Sequence, residues 1–350
     1  MTFRIAIVGT GKIAADEHLP AALASPAVEV AALVDTVPER ARELSRRFGL
    51  DPFVTGDLAD LAGRVDGAII ATPNATHAPI AMELVQLDIP VLVEKPFTTT
   101  VADGARLVEI AEARGVTIAV GYCWRFWDSV DLFRDLLDRD GFGRPIRFLH
   151  VEGSAGGWSP VSAYHLDAKV SGGGVTVVTG AHFLDRMLFW FGYPKTIHYF
   201  DDSEGGPEAN SLTRLEFDLD SGRMSGEIRF SKTTKLESGF VLETERGVAV
   251  LPERLHAPIV FRPNSDRDVE TVIERRGAVR YGAHKSMYQW QLEDFVAACR
   301  GEHAPRVSGR DALESVRLLE TMYRDRRPFH DSVAATHTAR QRVAAGDSSN

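Results

Sequence analysis

The chain has 350 residues, 44% of them hydrophobic and 25% charged, with a formal net charge of −9. That length exceeds one small core and suits two domains. The acidic balance excludes nucleic acid and anionic membrane as general partners, since both need a basic face. Cys123 and Cys299 offer neither a disulfide framework nor zinc spacing, so they read as core residues in a reducing compartment, with no metal expected. There is no basic-then-apolar leader and no run of about 20 apolar residues, which predicts a cytoplasmic chain without a membrane span.

Residues 5–8 form a short apolar run that meets Gly9-Thr10-Gly11-Lys12-Ile13-Ala14 and then a helix-compatible stretch. This reads as a buried strand, a tight turn and a helix whose free N–H groups face the turn. Gly9 permits the turn, Gly11 lets backbone approach a pyrophosphate, and Ala14 lets helix and strand pack closely. A second apolar run over residues 28–34 ends in Asp35, the offset at which an acid grips an adenosine ribose. Dinucleotide binding is therefore expected. A carboxylate there accepts from both ribose hydroxyls and repels a 2′-phosphate, so NAD is favoured, while nearby Arg40 and small Thr36 leave NADP possible.

A helix is predicted over 38–48, capped by Gly49, and a short one over 57–61. The apolar run 68–71 is a buried parallel strand that Pro73 ends. Helix 78–87, strand 91–93, helix 101–113 and strand 116–120 follow. Such alternation predicts a doubly wound parallel sheet over residues 1–122, with its ligand site at the carboxyl ends of the strands. That edge gathers Gly9–Ala14, Asp35, Thr72–His77 and Glu94–Pro96. Beyond it the pattern changes to alternating runs. Thr213, Leu215, Phe217 and Leu219 share a face before a turn at 220–222, and strands 240–244 and 248–251 form a hairpin, all read as antiparallel with one wet face. Helices are predicted over 287–300, with Leu292, Phe295, Val296 and Cys299 on one face, and over 311–324. The fold class is thus α/β, a Rossmann domain followed over 123–330 by an α+β domain with an open, largely antiparallel sheet. Residues 331–350, small and polar, read as a tail.

Gly9-x-Gly11-x-x-Ala14, Asp35, Ala71-Thr72-Pro73-Asn74-x-x-His77, Glu94-Lys95-Pro96 and Gly172-Gly173-Gly174…Gly180-Ala181-His182…Asp185 occur in this order. Together they resemble the glucose–fructose oxidoreductase / inositol dehydrogenase / rhizopine catabolism superfamily of NAD(P)-dependent oxidoreductases, over residues 3 to about 327. The resemblance implies hydride transfer between nicotinamide and a secondary alcohol or ketone carbon of a sugar, aminosugar or cyclitol. It also implies a homodimer or homotetramer assembled through the open sheet. It adds Lys12, Ile13, Arg40, Thr72, Pro73, Asn74, His77, Glu94, Lys95 and Arg125 to the cofactor contacts. Lys95 is placed beside nicotinamide and substrate, where an ammonium stabilises a developing alkoxide. His182 is read as general acid or base with an ordinary, near-neutral pKa.

The family commonly carries an Asp four residues before that histidine, and this chain has Val178 there. Asp185 is expected to pair within its own helix; Thr179 and Tyr164 are substitute candidates for the acid. Arg125, Tyr164, His165 and Thr179 join Lys95 and His182 as substrate contacts, whereas Trp124 and Trp127 read as packing. Arg223, Arg229, Lys232 and Lys235 read as a solvated face, which disfavours a nucleotide-sugar substrate. Three other readings remain open: a non-catalytic NAD-binding sensor or co-repressor, favoured by Val178, a nucleotide-sugar dehydrogenase or ketoreductase, and a hydrolase using NAD transiently.

Overall fold

The computed structural model describes residues 2–156, 163–203, 206–253, 257–266, 268–275 and 286–329, with only the backbone of Ala163 and Tyr164. The expectations for residues 157–158, the Tyr164 side chain and the tail 331–350 lie outside the described residues.

Strands β1 (Phe3–Val8), β2 (Val28–Val34), β3 (Phe53–Thr55), β4 (Gly67–Ile70), β5 (Val91–Val93) and β6 (Ile118–Val120) make one parallel sheet in the order β3-β2-β1-β4-β5-β6. Both faces are covered, so these strands are mostly apolar, with Arg4 and Glu29 near strand starts as exceptions; Ile5, Ile7, Ala68, Ile69 and Ile70 are fully buried. Helices α1 (Leu19–Ala24), α2 (Pro38–Phe48), α3 (His77–Gln86) and α4 (Val101–Arg114) supply the crossovers. The strand order reverses between β1 and β4, and the Gly9 turn and the Thr72 loop open side by side at that point.

The chain leaves this sheet through a 3₁₀ turn at Cys123–Phe126 and helix α5 (Asp128–Asp138). It then forms β7 (Pro145–Gly153), short helices α6 (Ala168–Ser171) and α7 (Val175–Val178), and α8 (Ala181–Phe191). Strands β8 (Thr196–Asp201), β9 (Asn210–Leu219), β10 (Gly222–Ser231), β11 (Leu236–Thr244), β12 (Gly247–Pro252), β13 (Ile259–Pro263) and β14 (Thr271–Ile273) follow. Helices α9 (Met287–Cys299) and α10 (Gly309–Arg324) and a two-residue strand β15 (Arg327–Pro328) complete the described chain. The second sheet has nine strands in the order β14-β13-β12-β11-β7-β10-β9-β8-β15.

Most of its pairs are antiparallel, as expected, while β7 pairs with β10 and β15 with β8 in parallel. The reason is topological: β7 and β10 are joined by the α6–α8 crossover and the β8–β9 hairpin rather than by a tight turn. That crossover lays α8 across one face of the sheet. Phe183, Leu184, Met187, Trp190 and Phe191 of α8 pack against Phe148, Phe217 and Phe240. Burying each such side chain contributes about 1.5–3 kcal/mol.

The last two helices return to the parallel sheet. Leu292, Phe295 and Val296 of α9 share a core with Phe3, Ile5 and Leu33. Ala312 and Val316 of α10 pack with Val93, Leu107 and Val108. The Val120 amide donates to the Val307 carbonyl at 3.0 Å, and Ser308 begins α10 with a capping box closed by Asp311.

Candidate active site

The glycine turn behaves as its sequence demands. Gly9 holds φ +89°, and a Cβ there would lie 2.7 Å from the Ala71 carbonyl oxygen and from Thr72 Cγ2. Gly11 faces open space, with nothing within 4 Å of where its Cβ would stand. Thr10, Gly11, Lys12, Asp16, Arg40 and Arg47 line a cleft of about 420 Å³ beside it. Ile13 is half-buried, and Lys12 pairs with Asp16 on the surface. Asp35 accepts from the Thr10 hydroxyl at 2.7 Å, the Thr10 amide at 3.1 Å and the Val37 amide at 2.9 Å. Burial pushes its carboxyl up, but those bonds and the Arg40 charge together hold it below the ordinary value, so it is an anion. An open glycine face, exposed helix-start amides, a fixed carboxylate and two arginines fit a dinucleotide.

The neighbouring loops are braced more heavily than expected. The ring nitrogens of buried His77 lie 2.8 Å from the Pro96 carbonyl and 2.9 Å from that of Thr72. This histidine joins two loops instead of presenting its ring to a cofactor. Asn74, also buried, donates to the Ser171 carbonyl at 2.7 Å, tying the loop to α6. Thr76 donates to Thr72 Oγ1 at 2.8 Å, and Pro73 stays exposed. Glu94 is buried between His18 Nε2 at 2.9 Å and the Lys95 amide at 3.0 Å. Burial raises its carboxyl, but His18 and Lys95 hold it below the ordinary range. Through these two bonds it orients the loop.

Lys95 follows β5 and reaches across to the second domain, where its Nζ donates to the Val178 carbonyl at 2.8 Å. The position that lacks the family acid thus contributes a backbone acceptor. Burial lowers the Lys95 pKa, opposed by Glu94 and Cys123. His182, in the first turn of α8, is 9% exposed. Its ring stacks on Trp124 at 4.7 Å and 13° and meets the edge of Tyr122 at 6.2 Å. Burial, then the charges of Lys95 and Arg186, push its pKa well below the usual value. The expected near-neutral pKa is therefore corrected: His182 is an uncharged imidazole, and its Nδ1 has no hydrogen-bond partner among the described residues.

Arg125 also departs from expectation. It is buried, its Nε donates to Asp185 at 2.7 Å, and its guanidinium covers Phe189 at 3.9 Å. The structure gives it a partner inside the protein, a role the sequence did not predict. Asp185 in turn pairs across to this 3₁₀ turn, not within α8. Trp124 and Trp127 stack on each other at 4.8 Å, and the Arg186 guanidinium lies over both, as packing residues would. His165 is half-buried, its pKa lowered by burial and then by Lys95 and Lys232, so all three share one neighbourhood. Thr179 closes α7 next to Val178 and is half-buried.

The basic residues on and just after β10 separate. Arg223 and Lys235 are exposed as expected, but Arg229 is buried against Glu227 and Lys232, just after β10, is half-buried and acts on Lys95, which corrects the solvated-face expectation at these two positions. The larger cavity, about 620 Å³ between Thr98, Gly172, Val316 and Tyr323, lies behind the triple glycine, and neither Lys95 nor His182 lines it. Sequence reasoning missed Glu152 and Arg186. The signal for Glu152 was an acid on the buried phase of an alternating strand, two residues after His150.

Comparison with known proteins agrees with this geometry. A family model described as an oxidoreductase family with an NAD-binding Rossmann fold matches residues 3–122. The rhizopine catabolism protein MocA of Rhizobium meliloti is 30% identical over 335 residues, spanning 91% of this chain and 93% of its own length. D-xylose 1-dehydrogenase (NADP+) of Haloarcula marismortui is 26% identical, spanning 91% and 90%. The crystal structure of aldose-aldose oxidoreductase from Caulobacter crescentus superposes with a TM-score of 0.80 at 19% identity, covering 93% of this chain and 97% of that one. Among the described residues no helix is long and apolar enough to cross a membrane. Matched along nearly its whole length by such a relative, the chain belongs to the Gfo/Idh/MocA family and is an NAD(P)-dependent oxidoreductase.

Proposed function

We propose that this enzyme interconverts a secondary alcohol and a ketone on a free sugar, aminosugar or cyclitol, with Lys95 and His182 managing the hydroxyl proton. The observation that carries the reading is the junction of Lys95 and His182. A half-buried ammonium is fixed by the Val178 carbonyl at the carboxyl edge of the parallel sheet, and it acts on a neutral imidazole held by Trp124. A bound nicotinamide supplies or receives the hydride. Lys95 donates to the substrate oxygen and stabilises alkoxide character as the C–H bond weakens. His182 is uncharged, so it can accept a hydrogen bond from the hydroxyl and fix which oxygen faces Lys95. The stacked Trp124 and Trp127 exclude water on one side. Inositol 2-dehydrogenase 1 of Saccharopolyspora erythraea, 33% identical over 150 residues, carries a name that fits this class, whereas the dTDP-3,4-didehydro-2,6-dideoxy-alpha-D-glucose 3-reductase of Streptomyces violaceoruber, 37% identical over 141 residues, acts by its name on a nucleotide sugar.

The test is nicotinamide turnover with NAD and NADP against inositols, inosamines, aldoses and nucleotide sugars, in both directions, beside Lys95→Ala. Turnover by the wild type with loss of ~10²-fold or more in the variant is expected. A second reading, an NAD-binding sensor, draws on Val178, where the usual acid is absent. Tight NAD binding with no turnover on any panel member would favour it.

A further inference from the structure

Side chains two apart on a strand share a face, so Phe148, His150 and Glu152 of β7 all point towards α8. Phe148 packs on Phe183 and Phe191. His150 stacks flat on Phe183 at 3.5 Å, one residue beyond His182. Glu152 is the next side chain along this face, next to the carboxyl end of β7. Its register partner on β10 is Phe230, whose ring fills the space where a Cβ on Gly180 would stand, 2.4 Å away. Glu152 therefore sits beside the turn that presents His182, and Lys232 lies one same-face step beyond Phe230.

The surroundings of Glu152 are unusual for an acid. Its Oε2 is buried and has no hydrogen-bond partner among the described residues; the nearest charged or titratable contact is His150 Nε2 at 3.8 Å. The groups that face it are Lys95 from the loop after β5, Lys232 after β10, Arg186 on α8, and His150 on its own strand. His182 lies on the same α8 turn, and Glu253 after β12 satisfies Arg186 at 2.8 Å. Arg186 is thus paired elsewhere, and His150 is held uncharged by burial, its pKa pushed down to about 3. The field on Glu152 comes from Arg186, Lys232 and Lys95, set against a desolvated pocket.

We propose that Glu152 supplies, from the sheet, the active-site carboxyl group that the helix lacks at Val178, and that it takes and returns the proton of the substrate hydroxyl. This rests on the dehydrogenase reading above. In the oxidative direction the substrate O–H bond breaks and its proton passes to the Glu152 carboxylate. The oxygen keeps that electron pair and forms the C=O bond while the carbon's hydride goes to the oxidised nicotinamide. Reduction runs the same path backwards, the carboxylic acid giving its proton to the nascent alkoxide. His182 is poorly suited to hold that proton because burial and two cations oppose its charging. Glu152 is well suited. Burial lifts its pKa to about 7, with Arg186, Lys232 and Lys95 limiting the rise, so both protonation states are accessible at neutral pH.

The experiment uses the full chain with NAD, comparing wild type, Glu152→Gln and Glu152→Asp. Infrared titration should show a carboxylic-acid carbonyl band in the wild type that converts to carboxylate around neutral pH and is missing in Glu152→Gln. With a substrate found in the panel, Glu152→Gln should lower kcat ~10²-fold and flatten the acidic limb of the oxidation pH profile, with Glu152→Asp restoring part of the rate. NAD affinity and Tm should stay at wild-type values. A Gln variant with kcat within about twofold and the same limb overturns the proposal, as does a wild type without the titrating band. If no panel member is turned over by the wild type, the dehydrogenase reading fails. The infrared band still decides whether a proton-holding carboxyl exists at Glu152, and its absence overturns the inference.

Discussion

The ion pair between Arg125 and Asp185 separates two roles for Arg125 that the sequence could not. Its two side chains are 5% and 2% exposed as residues, and the Nε–Oδ2 distance is 2.7 Å. Arg125→Met keeps most of the volume over Phe189 but leaves Asp185 without its cation. Breaking a buried pair from one side costs about 3–5 kcal/mol, because the remaining charge stays desolvated. Burial already raises the Asp185 pKa, and Arg125 is the main group opposing that rise. Without Arg125 the folded-state pKa climbs further above the unfolded value. Asp185 then binds a proton more readily folded than unfolded, so the variant's stability falls as pH rises through that interval and recovers in acid. Urea unfolding of wild type, Arg125→Met and the double variant Arg125→Met/Asp185→Asn would measure this. The single variant should lose about 3–5 kcal/mol at neutral pH, and the double variant should regain most of it. NAD affinity should follow folding only. A loss under about 1 kcal/mol, coupled to a large fall in NAD affinity with stability intact, would refute the structural role and return Arg125 to the cofactor.

Two further outcomes test the nucleotide edge. Gly9→Ala places a Cβ 2.7 Å from both the Ala71 carbonyl and Thr72 Cγ2 at a positive φ; NAD binding by fluorescence quenching should fall ~10²-fold or more, and retained affinity would contradict the tight-turn assignment. Asp35→Ala removes the ribose acceptor and three hydrogen bonds to Thr10 and Val37 while leaving Arg40 and Arg47 in place. The NADP-to-NAD ratio of kcat/KM should rise ~10-fold or more, and an unchanged ratio would show that Asp35 does not select the cofactor.

The amino-terminal sheet was readable because buried parallel strands are written as uninterrupted apolar runs and their crossovers as helices. Of its strands only β3 escaped, being three residues at an edge, with Phe53 exposed. In the second domain the hairpins were visible from alternation and turn residues, but the parallel β7–β10 pair was not, since pairing across a long crossover leaves no local mark. The same limit applies to the site. Gly9, Gly11, Asp35 and Lys95 are recognisable because backbone geometry or sequence order defines them. Arg125, His77 and Asn74 carry the same residue types as ligand-binding groups, and only the fold reveals that Asp185, two loop carbonyls and Ser171 already occupy them. The state of His182 is legible nowhere in the sequence, because it depends on Trp124, Lys95 and Arg186 converging from three separate segments.

The return of α9 and α10 to the parallel sheet, followed by the addition of β15 to the edge of the second sheet, makes the chain pass between the two domains three times, near residue 122, between β14 and α9, and near residue 325. The same arrangement orders events during synthesis. Phe3 and Ile5 emerge first, yet their covering partner Phe295 lies almost 300 residues later. The face of the nucleotide-binding sheet that carries Phe3 and Ile5 therefore stays uncovered until α9 has been made.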